Sequence, residues 1–411
     1  MSESRFRAQK RGWRLRRTLA GATTLVLASL ALAACQSDTP SSSDAAPEPG
    51  AASTSAAPDP VELTTNAGRD GSGLAIDKPV RLAASGGSLS SVKVTSKVGE
   101  LPGQLAKNHE SWTSTGRLEP GTVYRVTAEA KRSDGKQVTK TTRFRTENLT
   151  LDQQTYASVA PLQDETVGVG MPVIVTFDVP VTDKASIEKH MTVTATPRQQ
   201  GSWHWLSDTE AHWRPKTYWR AGSDVSVDVD INSIPAGAGI YGQESRHVDF
   251  HIGDANVYKV NAQTDQMQVF QNGTLLRTIP ITTGKQGFTT RSGTKVIIEK
   301  FETKRMNSET IGIGKNNPEH YDLDDVKYAM RVTYSGEFLH AAPWSVSSQG
   351  HENVSHGCTG MSTANAQWLY NMSRRGDVVE YTGTDRPMTL TNGYGDWNES
   401  FADYSAGSAL S

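Results

Sequence analysis

Residues 355–358 read Ser-His-Gly-Cys, and a second histidine, His340, lies upstream of this stretch. The chain has only two cysteines, and the other one, Cys35, lies at the end of an apparent export signal. Cys358 is therefore expected to be a free thiol in the mature protein. A cysteine in a glycine-flanked turn with histidines nearby is typical of a nucleophile with its base, and a disulfide has no partner available here.

The chemistry of a thiol nucleophile requires a base near Cys358. A free thiol has a pKa near 8.5, so only a few per cent is ionised at pH 7, and a nearby imidazole that takes the proton raises the reactive fraction. Three histidines are close in sequence, namely His340, His351 and His356, and the residues alone do not rank them. Gly357 allows close backbone approach, and consecutive amides at this turn predict an oxyanion hole.

The N-terminal segment, residues 1–35, is predicted to be a lipoprotein signal peptide. Seven basic residues precede an apolar run at residues 19–32, which is shorter than the roughly 20 residues of a spanning helix. The run ends Leu-Ala-Ala-Cys35, which resembles a bacterial lipobox. We expect an exported protein, held on the outer face of the cell membrane by a lipid on Cys35. The alternative is ordinary signal cleavage beside an incidental cysteine, and the choice between general and twin-arginine export stays open.

The composition after the signal excludes some classes of partner. Residues 36–60 are almost all small or polar, so they are predicted to form a disordered linker. Removing residues 1–35 leaves 35 basic and 43 acidic residues, a net charge near −8. Nucleic-acid binding depends on clustered cations, so we expect no nucleic-acid partner.

Short alternating strands dominate the rest of the chain, which predicts a mostly β protein. Residues 61–147 and residues 148–254 are each expected to form an immunoglobulin-like β-sandwich. Residues 255–382 are expected to form a β-rich catalytic domain with one main helix, predicted at residues 363–374 from its apolar spacing. Residues 383–411 are expected to pack on the body as a C-terminal tail, with residues 405–411 frayed.

Two side-chain clusters outside the cysteine motif are interpreted as structural. Four tryptophans between residues 203 and 219 are expected to fill the sandwich core and its seam, in preference to forming a sugar-stacking platform. His247 and His251 share one strand face, but two imidazoles without further ligands make a poor metal site. We predict neither a metal nor a cofactor.

The span 336–380 closely resembles the catalytic core of the L,D-transpeptidases of the YkuD type. The family pattern is a histidine, a spacer and then Ser/Thr-His-Gly-Cys, and this chain has His340 followed by residues 355–358. The similarity continues through His-Ala-Ala-Pro-Trp-Ser at 340–345, Asn-Ala-Gln-Trp at 365–368 and Arg-Gly-Asp-Val-Val at 375–379. The order of lipobox, two immunoglobulin-like domains and this core is similar to the mycobacterial type.

This resemblance implies a function and a set of roles. Cys358 would be the nucleophile and His340 its base, with Ser355, His356 and Gly357 shaping the turn. Cys358 would attack the bond after the L-centre of diaminopimelate in a peptidoglycan tetrapeptide, release D-Ala and keep a thioester. The amine of a neighbouring diaminopimelate would then form a 3→3 cross-link. The resemblance also implies carbapenems as inhibitors. The implied substrate-site residues are Met306, Tyr321, Ser335, Gly336, Trp344 and Gly360.

Two positions depart from the family pattern. Gly360 stands where the family usually has Asn or Arg, and Ile311 stands where an aromatic lid residue is expected. We expect Gly360→Asn to lower KM or to be neutral, without abolishing turnover, because it would restore a donor contact. Two alternatives to the transpeptidase remain open, namely an L,D-carboxypeptidase that uses water as the acceptor and a non-catalytic wall-binding adaptor.

Overall fold

The computed structural model describes residues 60–67 and 73–411. The predicted signal peptide, Cys35 and nearly all of the predicted linker lie outside these residues. The expected mostly β architecture is confirmed, with an immunoglobulin-like part before the catalytic part. No helix within the described residues has the length and apolarity needed to cross a membrane.

The first sandwich is built from two four-stranded sheets over one core. Its sheets have the strand orders β1-β2-β6-β5 and β4-β3-β7-β8, with the strands β1 (Glu62–Thr65), β2 (Arg81–Ser85), β3 (Gly87–Ser96), β4 (Gly99–Leu101), β5 (Gly103–Leu105), β6 (Ser111–Ser114), β7 (Val123–Arg132) and β8 (Gln137–Arg145). Alternate residues of β7 are buried, as period-2 patterning requires. Tyr124 stacks on Phe144 at 5.0 Å within this core.

The second sandwich repeats this plan with two further four-stranded sheets, ordered β10-β12-β15-β14 and β11-β19-β16-β13. Its elements are β9 (Gln154–Thr155), β10 (Ala157–Ala160), β11 (Thr166–Val167), β12 (Val173–Phe177), α1 (Lys184–Glu188), β13 (Met191–Thr196), β14 (Gly201–Trp205), β15 (Glu210–Pro215), β16 (Asp224–Val229), β17 (Pro235–Gly237), β18 (Ile240–Gly242) and β19 (Arg246–Ile252), preceded by a 3-10 helix at Leu151–Gln153. Strands β17, β18 and β9 form a small separate sheet.

Both sandwiches pack a tryptophan against a glycine on the neighbouring strand. A Cβ atom at Gly103 would lie 2.0 Å from the indole of Trp112, and one at Gly201 would lie 2.2 Å from that of Trp213. Only glycine leaves room for the ring at these positions. Trp203, Trp205, Trp213 and Trp219 are all buried, so their interpretation as core residues is confirmed.

The remaining strands form the two sheets that carry the cysteine motif, ordered β22-β21-β20-β28-β23 and β24-β25-β26-β27. The elements are β20 (Asn256–Asn261), β21 (Gln266–Gln271), β22 (Thr274–Pro280), β23 (Gly293–Val296), β24 (Glu299–Asn307), β25 (Asp322–Arg331), β26 (Phe338–Ala341), β27 (Thr359–Met361), α2 (Thr363–Met372), β28 (Val378–Thr382) and α3 (Phe401–Ser405), with 3-10 helices at Ser308–Ile311, Pro343–Ser345 and Asp396–Asn398. A third core, which includes Tyr258, Met330 and Leu339, lies within this part.

Helix α2 follows the cysteine turn, as predicted, and buries Ala366 and Leu369. The Ser362 side chain accepts a hydrogen bond from the Asn365 amide and caps the first turn. The helix ends at Met372, two residues earlier than predicted, because Ser373 adopts an extended backbone (ψ 150°).

The second sandwich and the catalytic part share one continuous core. That core extends from the sandwich strands to Val296, Ile298, Val378 and Tyr394. Gly168 is in close contact across the junction, where an added Cβ would lie 2.2 Å from the Asp377 amide nitrogen. These contacts fix the catalytic part to the sandwich beside it.

The C-terminal tail also docks on the second sandwich. The Trp397 indole donates to the Gly170 carbonyl at 2.8 Å, and the buried Arg214 guanidinium lies 4.8 Å from the Trp397 ring and 4.3 Å from the Tyr404 ring. The prediction that residues 405–411 are frayed was wrong for most of that segment. Glu188, which is buried, accepts hydrogen bonds from the Ser408 hydroxyl and the Ala409 amide.

A buried ion pair lies at this tail junction. His212 on β15 contacts Asp396 of the tail at 2.8 Å and Glu210 at 3.0 Å, and both His212 and Asp396 are almost fully buried. Burial lowers the pKa of His212, but the charge and hydrogen bond of Asp396, with Glu210, outweigh it and raise that pKa to about 9. The raised pKa means that protonated His212 stabilises the folded state.

This pair predicts a specific dependence of stability on pH. The stabilisation should be complete below the unfolded histidine pKa of about 6.5 and lost as pH rises through about 9, a change on the order of 3 kcal/mol. The measurement is the melting temperature of the wild type and of the double variant His212→Gln/Asp396→Asn between pH 6 and pH 10. Their difference should shrink across this interval. His204→Gln is the control, because His204 contacts the Tyr404 carbonyl without a carboxylate partner. A difference that stays constant with pH would contradict the assignment.

Candidate active site

One cavity of about 340 Å³ contains most of the residues that the sequence pointed to. It opens where β24, β25, β26 and the loop before β27 meet. The lining residues are Thr282, Met306, Tyr321, Leu323, His340, Ala342, Trp344, Ser345, Val354, Ser355, His356, Cys358 and Gly360. His340 and Cys358 therefore face the same space.

Parallel pairing of two short strands brings these two residues together. Leu339, His340 and Ala341 on β26 are in register with Thr359, Gly360 and Met361 on β27. Cys358 immediately precedes β27, so it lies next to the strand that carries His340. The neighbouring strand β25 completes this part of the sheet through Met330, which pairs with Leu339.

The orientation of His340 is set by one hydrogen bond. Its Nδ1 lies 2.8 Å from the Ala341 carbonyl oxygen, which can only accept, so Nδ1 carries a proton. Nε2 of the neutral ring is then left with its lone pair. Burial lowers the pKa of His340, because it disfavours the charged imidazolium. The ring packs beside the Trp344 indole at 5.8 Å. His340 is thus a neutral ring suited to accept a proton.

Cys358 is half-buried, and its sulfur lies 3.6 Å from the Gly336 carbonyl oxygen. Burial raises the pKa of the thiol to about 12, although a backbone hydrogen bond from Phe338 acts in the opposite direction. The resting site therefore contains a neutral thiol and a neutral imidazole. Proton transfer has to accompany the attack of the sulfur, because few thiolates form beforehand.

The turn before Cys358 is held by its own residues. The Ser355 hydroxyl donates to the Cys358 carbonyl at 2.6 Å and accepts from the Gly357 amide at 3.1 Å. Gly357 has φ +119°, a conformation that favours glycine, and its carbonyl accepts from Thr290. Because the Gly357 amide is already bonded, an oxyanion hole at this turn must use other donors.

The other two histidines of the motif region lie in different surroundings. His351 is exposed on the loop after Gly350 and does not line the cavity. His356 lines the cavity but donates through Nε2 to the Glu319 carboxylate at 2.8 Å, and its ring contacts Phe288 and Tyr321. The geometry thus favours His340 as the base, as the family resemblance implied.

The predicted substrate-site residues fall into three groups. Met306, Tyr321 and the largely exposed Trp344 line the cavity together with Gly360. Gly336 contributes its carbonyl beside the sulfur. Ser335 is not in the lining; its hydroxyl contacts the Asn392 side chain at 3.0 Å, so its predicted role in substrate binding stays a prediction.

The space beside Gly360 is already filled. A Cβ at Gly360 would lie 2.9 Å from the Ala342 Cβ and 3.1 Å from the Thr282 Cγ2, and neither atom can move away cheaply. The expectation that Gly360→Asn restores a contact is therefore wrong on steric grounds. Ile311, the second departure, packs over Gly336, where its Cγ2 would lie 2.8 Å from an added Cβ.

Sequence reasoning missed a group of buried charges under the nucleophile. Lys295 is fully buried, and its Nζ lies 2.6 Å from Glu337 Oε2 and 3.7 Å from the centre of the Tyr381 ring. Burial lowers the pKa of Lys295 to about 8, although Glu337 opposes this. Arg291 bonds the other oxygen of Glu337 at 3.0 Å. The available signals were Lys295 directly before the apolar run at residues 296–298 and Glu337 directly before the apolar residues of β26.

A metal ion in a protein requires a set of several ligands that lie close together. No group of three or more His, Cys, Asp or Glu side chains within residues 60–67 and 73–411 is placed to hold one. His247 is exposed and His251 is half-buried, and both pair with aspartates, namely Asp228, Asp249 and Asp224.

A substitution at Gly360 tests the packing of the cavity. We predict that Gly360→Asn displaces Ala342 or Thr282, lowers the melting temperature and raises KM, because overpacking a filled site typically costs about 1–3 kcal/mol. The measurements are the melting temperature and the steady-state kinetics of the full chain. Gly314→Asn is the control, since an added Cβ there meets no atom within 4 Å. A Gly360→Asn variant with wild-type stability would contradict the steric account.

Comparison with known proteins supports the interpretation of both the immunoglobulin-like part and the catalytic part. Residues 71–235 match the model of a bacterial Ig domain, and residues 255–380 match that of the L,D-transpeptidase catalytic domain. The chain is 34% identical over 339 residues to L,D-transpeptidase 2 of Mycobacterium tuberculosis, with 82% of each chain covered. It is 32% identical over 342 residues to L,D-transpeptidase 5 of the same species, with 81% of this chain and 73% of the relative covered.

A solved L,D-transpeptidase structure is also similar to the part of the chain that it covers. The structure of an L,D-transpeptidase in complex with imipenem superposes with a TM-score of 0.50 at 36% identity, and it covers 56% of this chain and 99% of its own. The matched domains, the extended identity and the shared cavity of His340 and Cys358 agree with one another. This chain belongs to the L,D-transpeptidase family.

Proposed function

We propose that this enzyme forms 3→3 peptidoglycan cross-links through a thioester on Cys358. The observation that carries the proposal is the orientation of His340, whose Nδ1 is committed to the Ala341 carbonyl while Nε2 keeps its lone pair in the cavity that Cys358 lines. A base in this tautomer is able to accept the thiol proton.

The first half-reaction makes the thioester. The sulfur of Cys358 attacks the carbonyl carbon at the L-centre of diaminopimelate in the donor tetrapeptide, while Nε2 of His340 takes the thiol proton. The carbon–nitrogen bond to D-Ala then breaks, and the imidazolium returns its proton to the leaving amine. D-Ala departs as a neutral or protonated amine, and the acyl group remains on sulfur.

The second half-reaction transfers the acyl group. The amine of a neighbouring diaminopimelate attacks the thioester carbonyl and gives one proton to His340. The carbon–sulfur bond breaks, and the proton passes from His340 back to Cys358. The products are a new amide bond and the starting enzyme. Water in place of the amine would give an L,D-carboxypeptidase, so the product ratio reports which acceptor is used.

The lining of the cavity supports an acyl donor with an extended, partly apolar stem. Met306, Leu323, Trp344 and Val354 supply apolar surface, and Tyr321 closes one side. Burial raises the pKa of Tyr321 to about 12, so its hydroxyl stays protonated and can donate to a substrate oxygen. A relative has been solved with imipenem bound, which supports carbapenems as acylating inhibitors of this chain.

For the location, we propose export and attachment to the outer face of the cell membrane through lipidated Cys35. This proposal rests on the basic segment, the short apolar run and the Leu-Ala-Ala-Cys35 sequence. A metabolic label with a palmitate analogue, compared between the wild type and Cys35→Ala, tests it. Labelling that persists in Cys35→Ala would contradict it.

The roles proposed for Cys358 and His340 can be tested directly with a disaccharide-tetrapeptide as the substrate. Cys358→Ala should abolish D-Ala release and the carbapenem adduct, with the fold intact. His340→Ala should slow D-Ala release by about 10²–10⁴-fold, the usual effect of losing a general base. The measurements are D-Ala release and intact mass.

The control is His351→Ala, because that exposed side chain lies outside the cavity. It should retain nearly full activity. If His351→Ala were more damaging than His340→Ala, or if the adduct formed on a serine, the assignment of base and nucleophile would be wrong.

A further inference from the structure

One carboxylate joins three separate segments around the active site. Glu319 Oε2 accepts a hydrogen bond from Lys285 Nζ at 2.6 Å and lies 2.8 Å from His356 Nε2. Lys285 belongs to the loop after β22, Glu319 to the segment before β25, and His356 to the cysteine motif. The two partners are thus 34 and 37 residues away from Glu319 along the chain.

Glu319 belongs to a segment that ends at the cavity. Residues 308–321, which we call the lid, connect β24 to β25, and Tyr321 at their end lines the cavity. The other hydrogen bonds described for the lid join its residues to one another or to Asn307, as in the Ser308 amide to Tyr321 carbonyl bond at 3.0 Å. Glu319 therefore supplies the polar attachment between the described lid and the catalytic turn.

The partners of Glu319 are themselves fixed to the turn. The Lys285 amide donates to the Ser355 carbonyl at 2.9 Å, so the loop that presents the lysine is anchored beside the motif. The His356 ring is held between Phe288, at 4.6 Å, and Tyr321, at 5.0 Å. The bonds to Lys285 and His356 lower the pKa of Glu319, so its carboxylate is charged at neutral pH.

We propose that Glu319 is a positioning residue that holds the lid closed over a bound donor stem and fixes the ring of His356 against Tyr321. The lid must open for a peptide stem to enter, and opening separates Glu319 from His356 and Lys285. Closing restores both bonds and sets Tyr321 against the substrate. This inference rests on the proposed function, because it assigns the closure of that same site.

The expected effect is on substrate retention. Glu319 does not contact the cavity between His340 and Cys358, so weakening its bonds should change binding of the donor more than the chemical steps. The Glu319 side chain is 36% exposed, and exposed ion pairs contribute little. We therefore expect a modest change, about three- to tenfold in KM, with kcat changed by less than about twofold.

The test compares the full chain with its Glu319→Gln variant. Gln keeps the size of the side chain but removes the charge, so both bonds weaken. The readouts are kcat and KM for D-Ala release and amide hydrogen exchange of residues 308–321. We expect a higher KM, little change in kcat and faster exchange in the lid. Glu309→Gln is the matched control, because Glu309 lies in the same lid, is exposed, and its carboxylate bonds only with the Asn307 side chain in the described hydrogen bonds.

Lys285→Met gives a second, independent variant if Glu319→Gln does not fold. It removes one of the two donors and should shift KM and lid exchange in the same direction by a smaller factor. Unchanged KM and unchanged lid exchange in Glu319→Gln would overturn the proposal, and so would a fall in kcat alone. If the wild type released no D-Ala, the proposed function would fail, whereas lid exchange would still decide whether Glu319 holds the lid.

Discussion

The active site depends on the parallel pairing of β26 with β27. This pairing sets His340 beside Gly360 and places Cys358, which immediately precedes β27, next to the strand of His340. The close approach of the two strands is possible because residue 360 has no side chain between Ala342 and Thr282. The backbone hydrogen bonds between β26 and β27 thus hold the base, His340, beside the nucleophile, Cys358, although the two residues are distant in sequence.

The protein surrounds this pair with an environment that keeps both groups neutral at rest. Burial disfavours the thiolate of Cys358 and the imidazolium of His340 alike. Charge then develops only when the sulfur attacks a bound carbonyl, so the site has little reactivity without a substrate. The buried Lys295–Glu337 pair adds opposite charges near the sulfur, where Glu337 raises the pKa of the thiol and Lys295 lowers it.

Much of this account could be predicted from the sequence, and the failures have physical causes. The motif at residues 355–358 and its upstream histidine identified the family, and alternation identified the sandwiches. The docking of residues 405–409 was missed because it depends on a distant buried carboxylate, Glu188. The occupied space beside Gly360 and the bonds of Glu319 are long-range contacts, and a single sequence does not encode such distances in any readable pattern.

The central claim is that neutral His340, with its proton on Nδ1, is the resting base. The most direct measurement is nitrogen NMR of the histidine-labelled protein at pH 7, with His340→Gln used to assign the signals. The account predicts a neutral ring in which Nδ1 is protonated and Nε2 is not. An imidazolium at pH 7, or a neutral ring protonated on Nε2, would contradict it, because neither form could take a proton from Cys358 through Nε2.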